Sequence, residues 1–183
     1  MLPFAHIGIT LILFYIVALV FPKIRVHISY WHVAVGSMLP DIIDKVVGRM
    51  LFEDVFANGR IFAHSLLFVV VLIIAGYYIY SRKGSALVLV LGGGSFVHLM
   101  LDSMWKAPVT LLWPLLGWEF ERGTQYGSFL NYIMGIYGNL GNVDGFSFMP
   151  ALMTEVLGIT VIMFFGLGYM RQRINGGNSG EAL

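Results

Sequence analysis

Runs of about twenty apolar residues alternate with short polar segments along this chain of 183 residues. A helix rises about 1.5 Å per residue, so about 20 mostly apolar residues cross a hydrocarbon core about 30 Å thick. Four runs meet that length, at about residues 4–21, 61–80, 86–105 and 150–170. A fifth, about 28–47, is apolar in its first half and then meets Pro40, Asp41, Asp44 and Lys45. The pattern predicts an all-α, polytopic transmembrane bundle of about five spans. Between the last two runs, residues 107–118 and 129–137 are too short to span and predict re-entrant or interfacial helices. Residues 1–174 read as one transmembrane domain, and the Asn- and Gly-rich residues 175–183 as a disordered tail. The first run reads as a retained span rather than a signal peptide. It has no basic flank before it, is long for such a segment, and lacks a small-x-small cleavage pattern after it.

Composition strengthens this picture. Hydrophobic residues make up 58% and charged residues 11% of the chain, and mean hydropathy is +0.81. A soluble domain carries about a quarter charged residues. The net charge of +1 offers no basic or acidic tail for a nucleic acid or polyanion. With no cysteine there is no disulfide or thiolate chemistry, so any metal site must use His, carboxylates and water. Lys23 and Arg25, Arg82 and Lys83, and Arg171 and Arg173 follow alternate spans. The excess of Lys and Arg on cytoplasmic loops then predicts a multi-pass cytoplasmic-membrane protein with its N-terminus outside and C-terminus inside.

The few ionisable residues converge on that topology. His6, the pair Asp41 and Asp44, His64 with Ser65, and the pair His98 and Asp102 all fall at the outer ends of four helices. A charge at a helix centre costs at least about 2.5–3.5 kcal/mol on insertion scales, so such groups need partners. His98 and Asp102 are four apart and Asp41 and Asp44 three apart, which puts each pair on one helical face. Pro40 removes a backbone bond and bends the helix before both acids, and Gly92-Gly93-Gly94 permits close helix approach before His98. Six ligands, His6, Asp41, Asp44, His64, His98 and Asp102, suit one or two divalent ions, Zn first, with Mn or Fe(II) as alternatives. Glu155, one turn into the last span, reads as a ligand, a general base or the counter-charge of Arg122. Singly, each residue has a plainer reading. A lone intramembrane His is more often a hydrogen-bonded packing residue, and Asp41 and Asp44 alone resemble an interfacial cap with Lys45 as counter-ion. Trp105, Trp113, Trp118 and Tyr126 read as an interfacial aromatic belt, and the Gly-rich stretch after Met134 lacks a phosphate-loop pattern.

The blocks Gly36-Ser-Met-Leu-Pro-Asp-Ile-Ile-Asp-Lys45, Ala63-His-Ser-Leu-Leu67 and Ser95-Phe-Val-His-Leu-Met-Leu-Asp102 carry a resemblance, with His6 and Leu112-Trp113-Pro114. Over about residues 1–118 the chain resembles the membrane-bound metal-dependent hydrolase family, long a domain of unknown function, which includes the LexA-regulated inner-membrane proteins. The resemblance implies a metal-dependent membrane hydrolase, akin to zinc-dependent phospholipase C-like enzymes. Many members have Pro-Asp-x-Asp-His, whereas here the second acid comes three residues after the first and Lys45 stands where the His is expected.

Together these features predict a metallohydrolase acting on a phosphoester of a lipid or lipid-linked substrate near the extracytoplasmic leaflet. Asp44 or Glu155 would take a proton from water, and Ser65 would hydrogen-bond a ligand or the substrate. The alternatives are a divalent-cation or proton transporter using the same cluster, and an assembly protein whose polar cluster fastens helices. The inner halves of the spans offer few polar residues for a transport path, beyond Tyr15, Thr160 and Tyr77–Tyr80.

Overall fold

In the computed structural model, residues 3–25, 27–128, 130, 131, 134 and 145–177 are described. Helix α1 is Pro3–Val20, followed by the single turn α2, Pro22–Arg25. Helix α3, Tyr30–Lys45, continues into wider π-helical turns at Val46–Leu51. Helix α4 is Leu66–Lys83 and α5 is Leu87–Leu101; the short α6, Pro108–Leu111, follows. The last helix, α7, is Gly145–Gly177. Among the described residues there is no strand.

Three helices are long and apolar enough to cross a membrane: Pro3–Val20, Leu66–Lys83 and, within α7, Leu152–Arg171. Helix α5, with 15 residues, rises only about 22 Å, short of a full hydrocarbon core, whereas α3 runs on through its π-helical turns to Leu51 but carries Asp41, Asp44, Lys45 and Arg49 along the way. They pack on each other at the centre, with α1 against α3, α4 against α5, and α7 outside α1. The five-span pattern read from the chain is thus three full-length apolar helices around a polar-ended α3 and a short α5. Residues 107–118 hold only the turn α6 and further tight turns, and most of 129–137 lies outside the described residues. Helix α7 runs to Gly177, three residues into the stretch expected to be irregular; residues 178–183 lie outside the described ones.

Glycines set two of the crossings. A Cβ at Gly36 would come within 2.8 Å of the Leu91 carbonyl, and one at Gly94 within 2.9 Å of the Gly36 carbonyl carbon, so α3 and α5 touch backbone to backbone. Gly8 and Gly158 do the same for α1 and α7. Pro40 sits inside α3 without ending it. Lacking an N–H, it cannot bond the Gly36 carbonyl, and its ring crowds that turn. That carbonyl accepts a hydrogen bond from Ser95 Oγ at 3.1 Å, and the next one, Ser37, accepts from His98 Nδ1 at 2.6 Å. The proline therefore opens the Gly36 carbonyl to Ser95 of α5, and the Ser37 carbonyl beside it takes a candidate ligand, His98.

The chain N-terminal to α4 departs from expectation. The apolar run begins at Ile61, but the helix begins only at Leu66, capped by Ser65, whose Oγ accepts from the Phe68 N–H at 3.2 Å. Residues 61–65 are a buried, non-helical loop. Likewise α5 stops at Leu101, where Ser103 adopts a left-handed backbone (φ 55) and leaves Asp102 closing the helix.

Candidate functional site

Helix directions explain why distant residues meet. α1, α4 and α7 begin at one end of the bundle, and α3 and α5 finish there. That end receives His6 from α1, Asp41 and Asp44 from α3, His64 from the loop before α4, and His98 and Asp102 from α5. His64, His98 and Asp44 are fully buried, and His6 is 2% exposed.

The two central imidazoles are fixed by their outer nitrogens. His64 Nδ1 donates to Asp44 Oδ2 at 2.7 Å, and His98 Nδ1 donates to the Ser37 carbonyl. A carbonyl and a carboxylate only accept, so both Nδ1 atoms carry the proton and both Nε2 atoms present lone pairs when the rings are neutral. Those Nε2 atoms lie 3.2 Å apart. Two lone pairs at that separation repel unless a cation, either a proton or a metal ion, lies between them. A tetrahedral ion with bonds of about 2.0–2.1 Å holds its ligands about 3.3 Å apart, so the spacing fits.

Carboxylate oxygens close the same space. Asp41 Oδ1 is 3.7 Å from His64 Nε2 and 4.0 Å from His98 Nε2. Asp102 Oδ2 is 3.8 Å and 4.0 Å from the same two atoms. His6 Nε2 meets Asp102 Oδ1 at 3.1 Å, and its ring lies over His98 with centroids 4.5 Å apart. His6, His98 and Asp102, and Asp41, His64 and His98, each form a triad compact enough to hold an ion, and they share His98.

The remaining predicted residues stand elsewhere. Asp44 is heavily engaged: it accepts from the backbone N–H groups of Ile61, Ala63 and His64 at 2.7, 2.8 and 3.0 Å as well as from the His64 ring. It holds the loop and orients His64, with three donors on Oδ2 and the Ala63 N–H on Oδ1. Ser65 Oγ donates to the Phe62 carbonyl at 2.6 Å and caps α4, which removes it from substrate binding. Glu155 accepts from the N–H groups of Phe4 and Ala5 at 3.2 and 2.9 Å, so it caps α1 and ties α7 to it. Its expected partner Arg122 donates instead to the carbonyls of Val55 and Asp54. Trp113 belongs to a cluster with Phe62 and Phe120, whereas Trp105 and Trp118 are exposed, so only part of the aromatic set can line an interface.

Beside the metal-ligand candidates lies a cavity of about 260 Å³. Asp41 and Asp102 face it, and Lys45, Arg49, Asn58 and Arg60 complete its walls. Lys45 Nζ reaches Asp41 Oδ2 at 2.8 Å, and an Arg60 guanidinium nitrogen reaches Asp102 Oδ2 at 2.7 Å. The cationic wall was not anticipated from the sequence. Its signal was available in the spacing of Asp41, Lys45 and Arg49 at four-residue intervals, and in Arg60 standing four before His64.

A family model described as YdjM inner membrane protein matches residues 1–174. The chain belongs to the YdjM inner membrane protein family. No curated protein and no solved structure matches it. Membership in the YdjM family, with the apolar helices, places the chain in a membrane. The family match supports the membrane part of the resemblance noted above, and the His/Asp triads add groups able to bind a metal.

Proposed function

We propose that this protein is an integral-membrane metal-dependent hydrolase of phosphoesters carried by lipid or lipid-linked substrates. The observation that carries the reading is the pair of Nε2 atoms of His64 and His98, 3.2 Å apart with both Nδ1 atoms committed, flanked by Asp41 and Asp102. In this reading α3 and α5 also cross the membrane, giving five spans with the N-terminus outside. The outer end of α5 would then stop short of the outer surface and set the site at headgroup depth. Exposed Leu51, Leu115 and Trp118 at that end suit a lipid boundary.

His64, His98, Asp41 and Asp102 would hold a divalent ion, zinc by donor chemistry, and His6 would orient Asp102 or join as a ligand. When bound, the ion supplies Lewis acidity toward a phosphoryl oxygen and acidifies a water. In the hydrolysis, water oxygen bonds to phosphorus as the ester P–O bond breaks, and the departing alkoxide takes a proton. With Asp41 Oδ1 toward the ion, its other oxygen, Oδ2, on the Lys45 side of the cavity, would take the proton lost by water, the role first read for Asp44 or Glu155. Asp44 fixes the tautomer and tilt of His64.

The test is phosphate release from phosphatidic acid in mixed micelles, with and without chelator. The expected result is turnover abolished by chelation, restored by zinc, and no zinc or proton flux in liposomes. Flux without turnover would establish a transporter and overturn the reading.

A further inference from the structure

We infer that Lys45, Arg49 and Arg60 form a subsite for the dianionic phosphate group of a phosphomonoester. The inference rests on the metal-site reading above and specifies what that site receives. Each cavity carboxylate has two neighbours. Asp41 turns Oδ1 toward the imidazoles and Oδ2 toward Lys45, and Asp102 Oδ1 meets His6 while Oδ2 meets Arg60. Lys45 therefore lies one carboxylate width from the imidazoles, and Arg60 meets the same Asp102 oxygen that faces them. A phosphoryl group has a similar oxygen-to-oxygen span, so one of its oxygens can face the ion while others face Lys45 and Arg60.

Two of the cations are held in advance. The Arg49 guanidinium lies 5.5 Å from the centre of the Tyr126 ring and donates to the Thr124 carbonyl, which fixes it on the wall. The Arg60 backbone N–H donates to Asn58 Oδ1 at 3.0 Å, and the next N–H, at Ile61, is bound by Asp44. Arg60 is thus anchored on both sides while its side chain, 50% exposed, stays accessible from the cavity. Planar guanidinium groups match phosphate geometry and are strong partners for it.

Charge selects the class of phosphate. Lys45, Arg49 and Arg60 line the cavity with only two carboxylates, Asp41 and Asp102, so a divalent ion would make its field more positive and favour a phosphomonoester dianion over a phosphodiester monoanion.

The experiment is calorimetric titration of zinc-loaded protein in detergent with inorganic phosphate at pH 8, and separately with dimethyl phosphate. Phosphate should bind at least tenfold more tightly than dimethyl phosphate. Arg60→Gln and Arg49→Gln should each weaken phosphate by about tenfold or more, as expected for loss of a charge-assisted hydrogen bond, with zinc content unchanged. Arg122→Gln, whose side chain binds loop carbonyls away from the cavity, should bind as wild type. Glycerol phosphate and phosphatidic acid carry the same group, so competition by either supports the subsite and tells a free from a lipid-borne source; competition by neither overturns it. Wild-type affinity in both arginine variants, or equal affinity for dimethyl phosphate, also overturns it. A wild-type protein that takes up no zinc would instead sink the metal reading; Arg60→Gln must then still weaken phosphate in the metal-free titration, or the subsite falls as well.

Discussion

Asp44→Asn removes one charge and keeps the side chain's shape, so it isolates what the buried carboxylate does. Asp44 Oδ2 accepts three donors and Oδ1 one, at 2.7–3.0 Å, with the residue fully buried. The amide oxygen of the variant would take the Oδ2 position, and its NH2 group would then confront the Ala63 N–H. A stranded buried donor costs about 1–3 kcal/mol. The other three bonds change from charge-assisted to neutral, which forfeits about half of the roughly 1.5–3 kcal/mol each carries. The expected destabilisation is therefore about 3–7.5 kcal/mol. Because the same oxygen orients His64, zinc affinity should also fall by about 10–100-fold, the usual consequence of losing a ligand's hydrogen-bond partner. Denaturant unfolding in micelles reads the first quantity, and competition with a zinc chelator reads the second. A variant within about 1 kcal/mol of wild type, with zinc affinity unchanged, would refute Asp44 as the anchor of loop and ligand.

Other substitutions separate structure from site. Ser95→Ala leaves the Gly36 carbonyl without its hydroxyl donor and should cost about 1–2 kcal/mol in the same unfolding assay. Glu155→Gln weakens the cap on α1 by about 1 kcal/mol and should leave bound zinc at the wild-type level, which elemental analysis checks. Gly36→Ala forces a methyl group against the α5 backbone and should destabilise by about 1–3 kcal/mol, with no compensation from helix propensity visible in the midpoint.

The helices and their convergence are legible in the chain because hydrocarbon imposes length and apolarity on any span, and because each intramembrane acid or imidazole needs a partner. What the pattern misses are cases where one residue type has two physical uses. Ile61, Phe62 and Ala63 are as apolar as a span, yet they form a buried loop because Asp44 captures the Ile61, Ala63 and His64 N–H groups and Ser65 supplies the cap. Asp41 and Asp44 look equivalent at a three-residue spacing. One faces the cavity and the other is consumed by backbone donors 17–20 residues away, a pairing that sequence spacing does not encode. Glu155 looks like a site acid because it is an acid in an apolar helix; the first N–H groups of α1 are what it answers. Arg49 and Arg60 stand apart in the chain, and only the turns after α3 and the loop before α4 bring them to one cavity.

The central claim is that the buried His/Asp cluster holds a transition metal, and elemental analysis of the purified protein tests it most directly. Wild type should carry zinc, or manganese or iron, in stoichiometric amount. His98→Ala, which removes the imidazole shared by both triads, and Asp102→Ala should each lose it, and Asp41→Asn, at the more exposed cavity carboxylate, should bind it more weakly while staying folded. No transition metal in the wild type, or undiminished metal in all three variants, would contradict the account.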